Sequence, residues 1–427
     1  MSSTTAPPIA PSTRRKAVLA ASLGNFIEWF EYTLYGFFAA AIAMNFFPGG
    51  ASSLIPTFAV FGVAFVLRPL GAITFGHFGD RIGRRTVLAV VIVGMSLATF
   101  VIGALPTYET AGFAAPVLLL LARAVQGFSA GGEFGGATAF MVEYAPPGRR
   151  SFYGSWQFFT QFLGALTASA FGTVLSTVLS EQAVNAWGWR IPFLLTLPLG
   201  LIGLYLRLKM DETPEFQRDA GTAESAAPLL VTVREHGRSV LTIIGMIISG
   251  TTATYLVQAF LPAYLVQSVG LPQRQVFTAM LIGLALLVGS VPLWALLADR
   301  CGRHKPFLVA SPLATAIGTV PAFLLLLHGS FASTVAGYVL MTVLFSPALG
   351  SLATAMSDLF PTEIRYSGLS LAYGTAVSVF GGFTPLILAS LADTTGSHLA
   401  PAAYLTGTAV ISLTAALLLP ETGSRAR

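Results

Sequence analysis

Five ionisable side chains lie inside apolar, helix-length stretches of this 427-residue chain: Glu28, Glu31, Arg68, Arg123 and Glu133. Each costs at least ~2.5–3.5 kcal/mol at the centre of a membrane helix, so each marks a place where chemistry is expected. Three acids against two permanent cations leave one carboxylate in excess. In a low-dielectric site such a group is driven towards its neutral form and can take up and release a proton. The proton-handling candidates are therefore Glu31, Glu28 and Glu133, with Arg68 as a charge partner. A guanidinium holds a carboxylate through two parallel hydrogen bonds, which makes Arg123 the candidate for gripping an anionic substrate. Arg123 could equally satisfy Glu28 or Glu31, and competition between substrate and glutamate would couple binding to protonation. Depth at about 1.5 Å per residue places Glu28, Glu31 and Arg123 near the midplane and Arg68 and Glu133 nearer the cytoplasm. The expected pairing is Arg68 with Glu133.

These groups need helices to carry them. Composition supplies the membrane: 10% of residues are charged and 54% hydrophobic, against roughly 25% and 45–50% in soluble domains. Mean hydropathy is +0.75. With about 20 apolar residues needed per span, twelve spans are read. They cover 17–45, 54–76, 86–105, 114–141, 151–178, 189–208, 239–266, 275–298, 306–327, 333–357, 366–391 and 401–419. Spans three, six, nine and twelve carry no charge in their interiors, as expected if every third helix is peripheral and the others line a cavity. At 100° per residue, Asn25, Glu28, Glu31, Tyr32 and Tyr35 share an arc of about 120° on span one. Arg123, Gln126 and Glu133 share about 80° on span four, and Ser129 widens that arc. Thr251, Thr254, Tyr255 and Gln258 form a polar stripe on span seven, a pattern that also serves as hydrogen-bonding glue between membrane helices. Tyr32, Tyr35, Gln126, Gln157, Tyr255 and Gln258 complete the substrate-facing set around Arg123.

Orientation follows from the basic residues. With both termini inside, 19 of the 23 Lys and Arg fall on the cytoplasmic side; Arg190 and Arg274 fall outside, and Arg68 and Arg123 lie within spans. The pI of 9.4 is thus a topology signal, with no nucleic-acid patch needed to explain it. Residues 14–16 followed by an apolar run imitate a signal peptide, but Glu28 and Glu31 within the run and the lack of a small-residue cleavage site argue against one.

The chain is also duplicated. Gly76-His77-Phe78-Gly79-Asp80-Arg81-Ile82-Gly83-Arg84-Arg85 returns in looser form as Ala295-Leu296-Leu297-Ala298-Asp299-Arg300-Cys301-Gly302-Arg303-His304, with the aspartates 219 residues apart. Glu143 and Arg150 recur as Asp358 and Arg365, 215 residues later. Two similar halves in a membrane chain are the signature of a transporter. The expected organisation is a cytoplasmic tail (1–16), a first six-helix bundle (17–208), a cytoplasmic linker (209–238), a second bundle (239–419) and a tail (420–427).

Other motifs carry less. Gly127-Phe128-Ser129-Ala130-Gly131 matches a hydrolase nucleophile elbow, yet it lies inside a membrane helix, where with Gly132, Gly135 and Gly136 it reads as a close-packing surface. The five histidines lack metal-ligand spacing and no Gly-rich nucleotide loop is present. An enzyme and an ATP-driven pump are disfavoured, and neither metal nor cofactor is expected. Cys301 is the one cysteine and cannot make an intrachain disulfide.

The Gly-x-x-x-Asp-Arg-x-Gly-Arg-Arg loop and its degenerate copy resemble the signature of the major facilitator superfamily. More narrowly, the chain resembles the metabolite:proton symporter family. The residues that carry this likeness are Gly24-Asn25-Phe26-Ile27-Glu28-Trp29-Phe30-Glu31 with Tyr35-Gly36-Phe37, Leu67-Arg68-Pro69-Leu70-Gly71, Gln126 to Glu133, Trp187 to Phe193 and Glu212-Thr213-Pro214. The resemblance implies an all-α membrane protein of twelve transmembrane helices in two pseudo-symmetric six-helix bundles that rock about a central site. It also implies a cytoplasmic gate made of Asp80, Arg81, Arg84, Arg85, Glu143 and Arg150, echoed more weakly by Asp299, Arg300, Asp358 and Arg365. Where this chain has Glu31, the family usually has aspartate.

The function expected is proton-coupled symport of a small organic anion, a di- or tricarboxylate such as citrate or 2-oxoglutarate, by a monomer in the inner membrane. Osmolyte carriers of the family tend to have a long charged C-terminal extension, whereas this chain ends seven residues after Pro420, and they have lysine where Arg123 stands. The alternative is a proline/glycine-betaine symporter, or an uncoupled facilitator or exporter. A transport-dead sensor would call for an added signalling domain.

Overall fold

The structure is a computed structural model that describes residues 11–49, 53–82, 84–132, 134–143, 145–208, 228–361 and 364–421. Every regular element among these is a helix. Span one is Pro11–Phe37 continued by Ala39–Phe46; span two is Leu54–Ile82 and span three Arg84–Ala104. Span four is Ala114–Ser129 and Phe134–Glu143. Span five is Arg150–Val178, and span six runs from Glu181 to Thr196–Leu208. Span seven joins Pro228–Tyr255 to Leu261–Gln267. Spans eight and nine are Gln273–Cys301 and Lys305–Leu327. Span ten is Phe331–Leu349 with Leu352–Asp358; span eleven is Arg365–Ala376 with Thr384–Thr395; span twelve is Ala400–Leu418. Twelve helices in two six-helix bundles result, as the sequence predicts. Inside the expected linker a helix begins at Pro228, bends at the non-helical His236 and enters the apolar part of span seven. Most of the linker, 209–227, lies outside the described residues.

The duplication is legible in the interruptions of the helices. Span one breaks at Phe38 and span seven opens into a π-turn at Leu256–Phe260. Span four tightens into a 3₁₀ turn at Ala130–Gly132, and span ten breaks after Leu349. Span six carries a π-turn at Val184–Gly188 and span eleven another at Val377–Gly381, whereas span five runs unbroken. Interruptions of this kind free backbone groups and re-aim side chains, and in membranes they are tolerated where protein surrounds them.

Within the first bundle, spans two and four touch backbone to backbone. A Cβ at Gly127 would lie 2.0 Å from the Ala64 carbonyl oxygen, and one at Gly71 would lie 1.8 Å from that of Phe128. Only glycine permits this approach, so the elbow-like run is a packing surface. Between the bundles, span five lies along span eight and span two along span eleven, while span one meets span seven. The two-fold that relates the halves exchanges the first two of these contacts. The outward faces are coated with exposed Val, Leu and Ile, including Ile317, Leu418 and Leu293, the surface a lipid solvent requires.

Candidate functional site

The polar face of span one fans out rather than lining one cavity. Asn25 donates at 2.8 Å to the Gln157 carbonyl and the Thr160 hydroxyl, and Gln157 Nε2 returns a bond to Asn25 Oδ1 at 2.8 Å. Gln157, expected at the substrate, thus ties span one to span five. Glu28 forms a buried ion pair with Arg68 of span two. The expected pairing of Arg68 with Glu133 falls on a residue outside the described set, and the contact with Glu28 has a geometric reason. A helical side chain leans towards the N-terminus of its own helix, so Arg68 reaches back to mid-depth, where Glu28 sits. Glu133 lies outside the described residues. Glu31, at the edge of the helical arc, accepts a hydrogen bond from Ser96 of span three. Tyr35 donates to the Thr57 carbonyl at 3.0 Å.

Arg123 is fully buried. Its Nη2 donates to the Phe61 carbonyl at 3.1 Å and its Nη1 to Gln126 Oε1. Gln126 Nε2 in turn donates to the Thr99 hydroxyl at 2.8 Å and the main-chain carbonyl of Glu31 at 3.4 Å. One amide therefore connects the buried guanidinium to the turn that carries the acid.

Around both arginines stands a box of five rings: Trp29 and Tyr32 from span one, Phe61 and Phe65 from span two, and Tyr255 from span seven. Neighbouring ring centroids lie 4.9–6.4 Å apart, mostly edge to face, the preferred arrangement of aromatic quadrupoles. The Arg123 guanidinium sits 4.4, 4.8 and 4.9 Å from the centroids of Tyr35, Phe61 and Tyr32. That of Arg68 lies 5.2 Å from Tyr32 and 5.7 Å from Phe65. A cleft lined by Trp29, Tyr32, Thr33, Gly36, Phe61, Tyr255, Gln258 and Ala259 opens on the box, with room for about one water molecule. Gln258 Oε1 accepts from Thr33 across the bundles at 3.5 Å. Gln258 Nε2 and Tyr255 Oη are buried without a hydrogen-bond partner among the described residues. Buried polar groups demand partners, so these two atoms mark places where a ligand's polar groups would be welcome. Chemically, the box suits an organic cation, and the guanidiniums and orphan donors suit a carboxylate.

At the end of the molecule that bears both termini, the expected charge network crosses between the bundles. Arg150 of span five pairs with Asp358 of span ten at 2.7 Å, and Arg365 of span eleven pairs with Glu143 of span four at 2.6 Å. Asp299 accepts the main-chain amides of Ser151 and Phe152 at 2.8 and 2.9 Å, placing a negative charge on the positive end of span five. Among the described residues, these charges of each half meet the other half. Arg300 is exposed on the last turn of span eight. The side chains of Asp80, Arg81, Arg84 and Arg85 lie outside the described set. His304 is buried beside this seam. Burial lowers its pKa; Asp358 and Asp299 oppose that, Arg150 adds to it, and Glu421 opposes it. Arg303 pairs with Glu421 at 2.8 Å, and Lys305 caps the last carbonyls of span twelve, those of Leu417 and Leu419, at 2.8 Å.

Sequence reasoning did not assign Phe61 and Phe65 to the site and took Trp29 only as part of a family-like motif. The available signal was spacing: Phe61, Phe65 and Arg68 stand at i, i+4 and i+7, one face of span two. Ser96 and Thr99 were hidden because span three, being free of charge, reads as merely peripheral.

Comparison with known proteins sharpens the picture. Residues 21–364 match the family model of the Major Facilitator Superfamily. The chain is 39% identical, over 96% of its length and 84% of the relative's, to the glycine betaine/proline/ectoine/pipecolic acid transporter OusA of Dickeya dadantii. It is 38% identical, over the same shares, to the proline/betaine transporter of Escherichia coli. Among solved structures, a partially occluded inward-open form of the xylose transporter XylE from E. coli superposes with a TM-score of 0.74. That match has 18% identity and covers 96% of this chain and 99% of the other.

Proposed function

The chain belongs to the major facilitator superfamily, and from that membership we propose that it is a proton-coupled symporter of zwitterionic solutes of the proline and betaine kind. The observation that carries this reading is the five-ring box beside two buried guanidiniums. A zwitterion with an alkylated ammonium presents a diffuse cation for the rings and a carboxylate for Arg123 or Arg68. The substrates printed in the names of the similar transporters are of this class. The organic-anion expectation yields to its alternative. A di- or tricarboxylate offers the box no cation, and where this chain ends carries no weight as an argument.

The positive-inside asymmetry supports a cytoplasmic position for both termini, in an inner membrane. The seam of Arg150, Asp358, Glu143, Arg365 and Asp299 is then a cytoplasmic gate. Glu31 is the proposed proton carrier. Its support is the Gln126 amide, which links Arg123 to the Glu31 turn. When Arg123 turns from Gln126 to a substrate carboxylate, that amide is released and the setting of Glu31 changes. Substrate arrival and proton loading are thereby joined in one helix turn. Glu28, matched by Arg68, holds spans one and two in register. The monomer suffices, because both halves of the site lie on one chain.

The test is uptake into proteoliposomes of labelled glycine betaine, proline, citrate, 2-oxoglutarate, succinate and shikimate, with and without an inward proton gradient. Gradient-driven accumulation of betaine or proline, lost in Glu31→Gln while substrate exchange persists, is the expected result. Accumulation of a carboxylate alone would overturn the substrate reading, and equilibration indifferent to the gradient would overturn the coupling.

A further inference from the structure

Two glycines outside the cleft press on its wall. Gly381 ends the π-turn of span eleven and Gly382 follows it. A Cβ on Gly381 would lie 2.5 Å from Tyr255 Cε2, 2.8 Å from Tyr255 Cδ2 and 2.9 Å from the Thr251 methyl. A Cβ on Gly382 would lie 2.3 Å from Phe65 Cγ. Neither glycine lines the cleft, whereas Tyr255 does, so span eleven backs the far side of these rings. Tyr255 and Phe65 are themselves edge to face at 5.2 Å, and displacing one displaces the other. The π-turn is what delivers this contact: its extra residue re-aims the glycine pair at the rings, while the pseudo-symmetric span five has no such turn.

The geometry points to Gly381 and Gly382 as positioning residues that set the width of the aromatic box and so decide how bulky an ammonium group the carrier accepts. This rests on the zwitterion reading above. An ordinary carbon–carbon contact is about 3.5–4.0 Å. An alanine at 381 therefore drives the Tyr255 ring about 1 Å towards a cleft that already has room for only about one water molecule. A trimethylammonium group, the widest head in the class, suffers first; the secondary ammonium of proline is flatter and suffers less. Gly374, on the same helix, has nothing within 4 Å of its would-be Cβ and serves as the control.

The experiment measures KM and Vmax for glycine betaine and for proline in proteoliposomes of the wild type, Gly381→Ala, Gly382→Ala and Gly374→Ala, at matched reconstituted amounts. In parallel, thermal stabilisation of the purified proteins by tetramethylammonium chloride reads the box alone. Expected for Gly381→Ala is a betaine KM raised about tenfold or more, a proline KM within about threefold, and a diminished tetramethylammonium effect, with Gly374→Ala unchanged. Gly382→Ala, acting through Phe65, should move the same ratio and serves if Gly381→Ala does not fold. Equal losses for both solutes, or an unchanged betaine KM, overturn the proposal. A wild type that carries neither solute refutes the functional reading separately. The tetramethylammonium comparison then decides, and equal stabilisation of wild type and variant, or none of the wild type, overturns the role of the glycines.

Discussion

At Gly36, on the lining of the central cleft, spans one and seven approach closely. A Cβ there would stand 2.7 Å from the Ala259 Cβ and 2.8 Å from its Cα, with the Gln258 carbonyl oxygen at 3.1 Å. The shortfall from ordinary contact is about 1 Å, and the obstacle is backbone and Cβ rather than a yielding side-chain tip. Gly36→Ala should therefore wedge the two bundles apart on the side away from the termini. That side is sealed by Phe58 against Phe260 at 6.3 Å, Phe38 against Phe277 at 5.7 Å, and a 3.0 Å bond from Gln267 to the Ala40 carbonyl. A separation of about 1 Å takes that last bond beyond hydrogen-bonding range. Overpacking of this kind costs about 1–3 kcal/mol, borne only by the closed arrangement, so the open population rises roughly 5- to 150-fold. The assay is labelling by a membrane-impermeant maleimide of a cysteine placed at the buried Ala263, in a chain carrying Cys301→Ser. The rate should rise by that factor in Gly36→Ala, and transport should slow. An unchanged labelling rate in a correctly inserted variant would refute the wedge and the claim that this contact seals the outer side.

Further outcomes are expected. Arg68→Gln removes the cation that pairs with buried Glu28 and should cost about 3–5 kcal/mol, read as a lowered melting temperature in detergent, with Glu28→Gln/Arg68→Gln recovering much of the loss. Arg150→Asp should abolish uptake, and adding Asp358→Arg should restore it, because the pair is 2.7 Å apart in the closed seam; lack of restoration would show that the contact does not matter for the cycle. The pKa of His304 is depressed in the closed seam by burial first of all, with Asp358 and Asp299 opposing, Arg150 assisting and Glu421 opposing. A base of lowered pKa stabilises the closed form fully above its open-state value, and that stabilisation is lost as pH falls through the window down to the closed-state value. Acidifying the side that bears the termini should therefore favour opening there, seen as faster substrate exchange, and His304→Gln should flatten the profile.

Twelve spans and a duplicated plan were legible because apolar length and an offset of 215–219 residues survive in one dimension. The buried charges Glu28, Glu31, Arg68 and Arg123 were legible for the same reason: each is costly enough to stand out. Their partners were not. Depth counted along straight rods set Arg68 apart from Glu28, and it missed the backward lean of a helical side chain that brings the two together. Glu31 sat within the polar arc of span one, but at its margin, and a margin of a helix faces a neighbour, here Ser96. The aromatic box was invisible to charge-based reading, since Phe61 and Phe65 look like any lipid-compatible residues until the structure sets Tyr255 against them. Nor does any local pattern reveal the π-turn that aims Gly381 at that ring, because the turn answers to packing between spans two, seven and eleven.

The ion pairs at the termini end have a consequence for how the molecule came to be assembled. Arg150 meets Asp358 and Arg365 meets Glu143, so one contact is made twice with the roles of the halves exchanged. This is how two identical subunits join across a dyad. Neither pair can form inside a single half, and neither depends on the covalent join between them. A half-length ancestor could thus have worked as a dimer using one set of charges, and the present halves, made as two polypeptides, carry in that handshake the means to find each other.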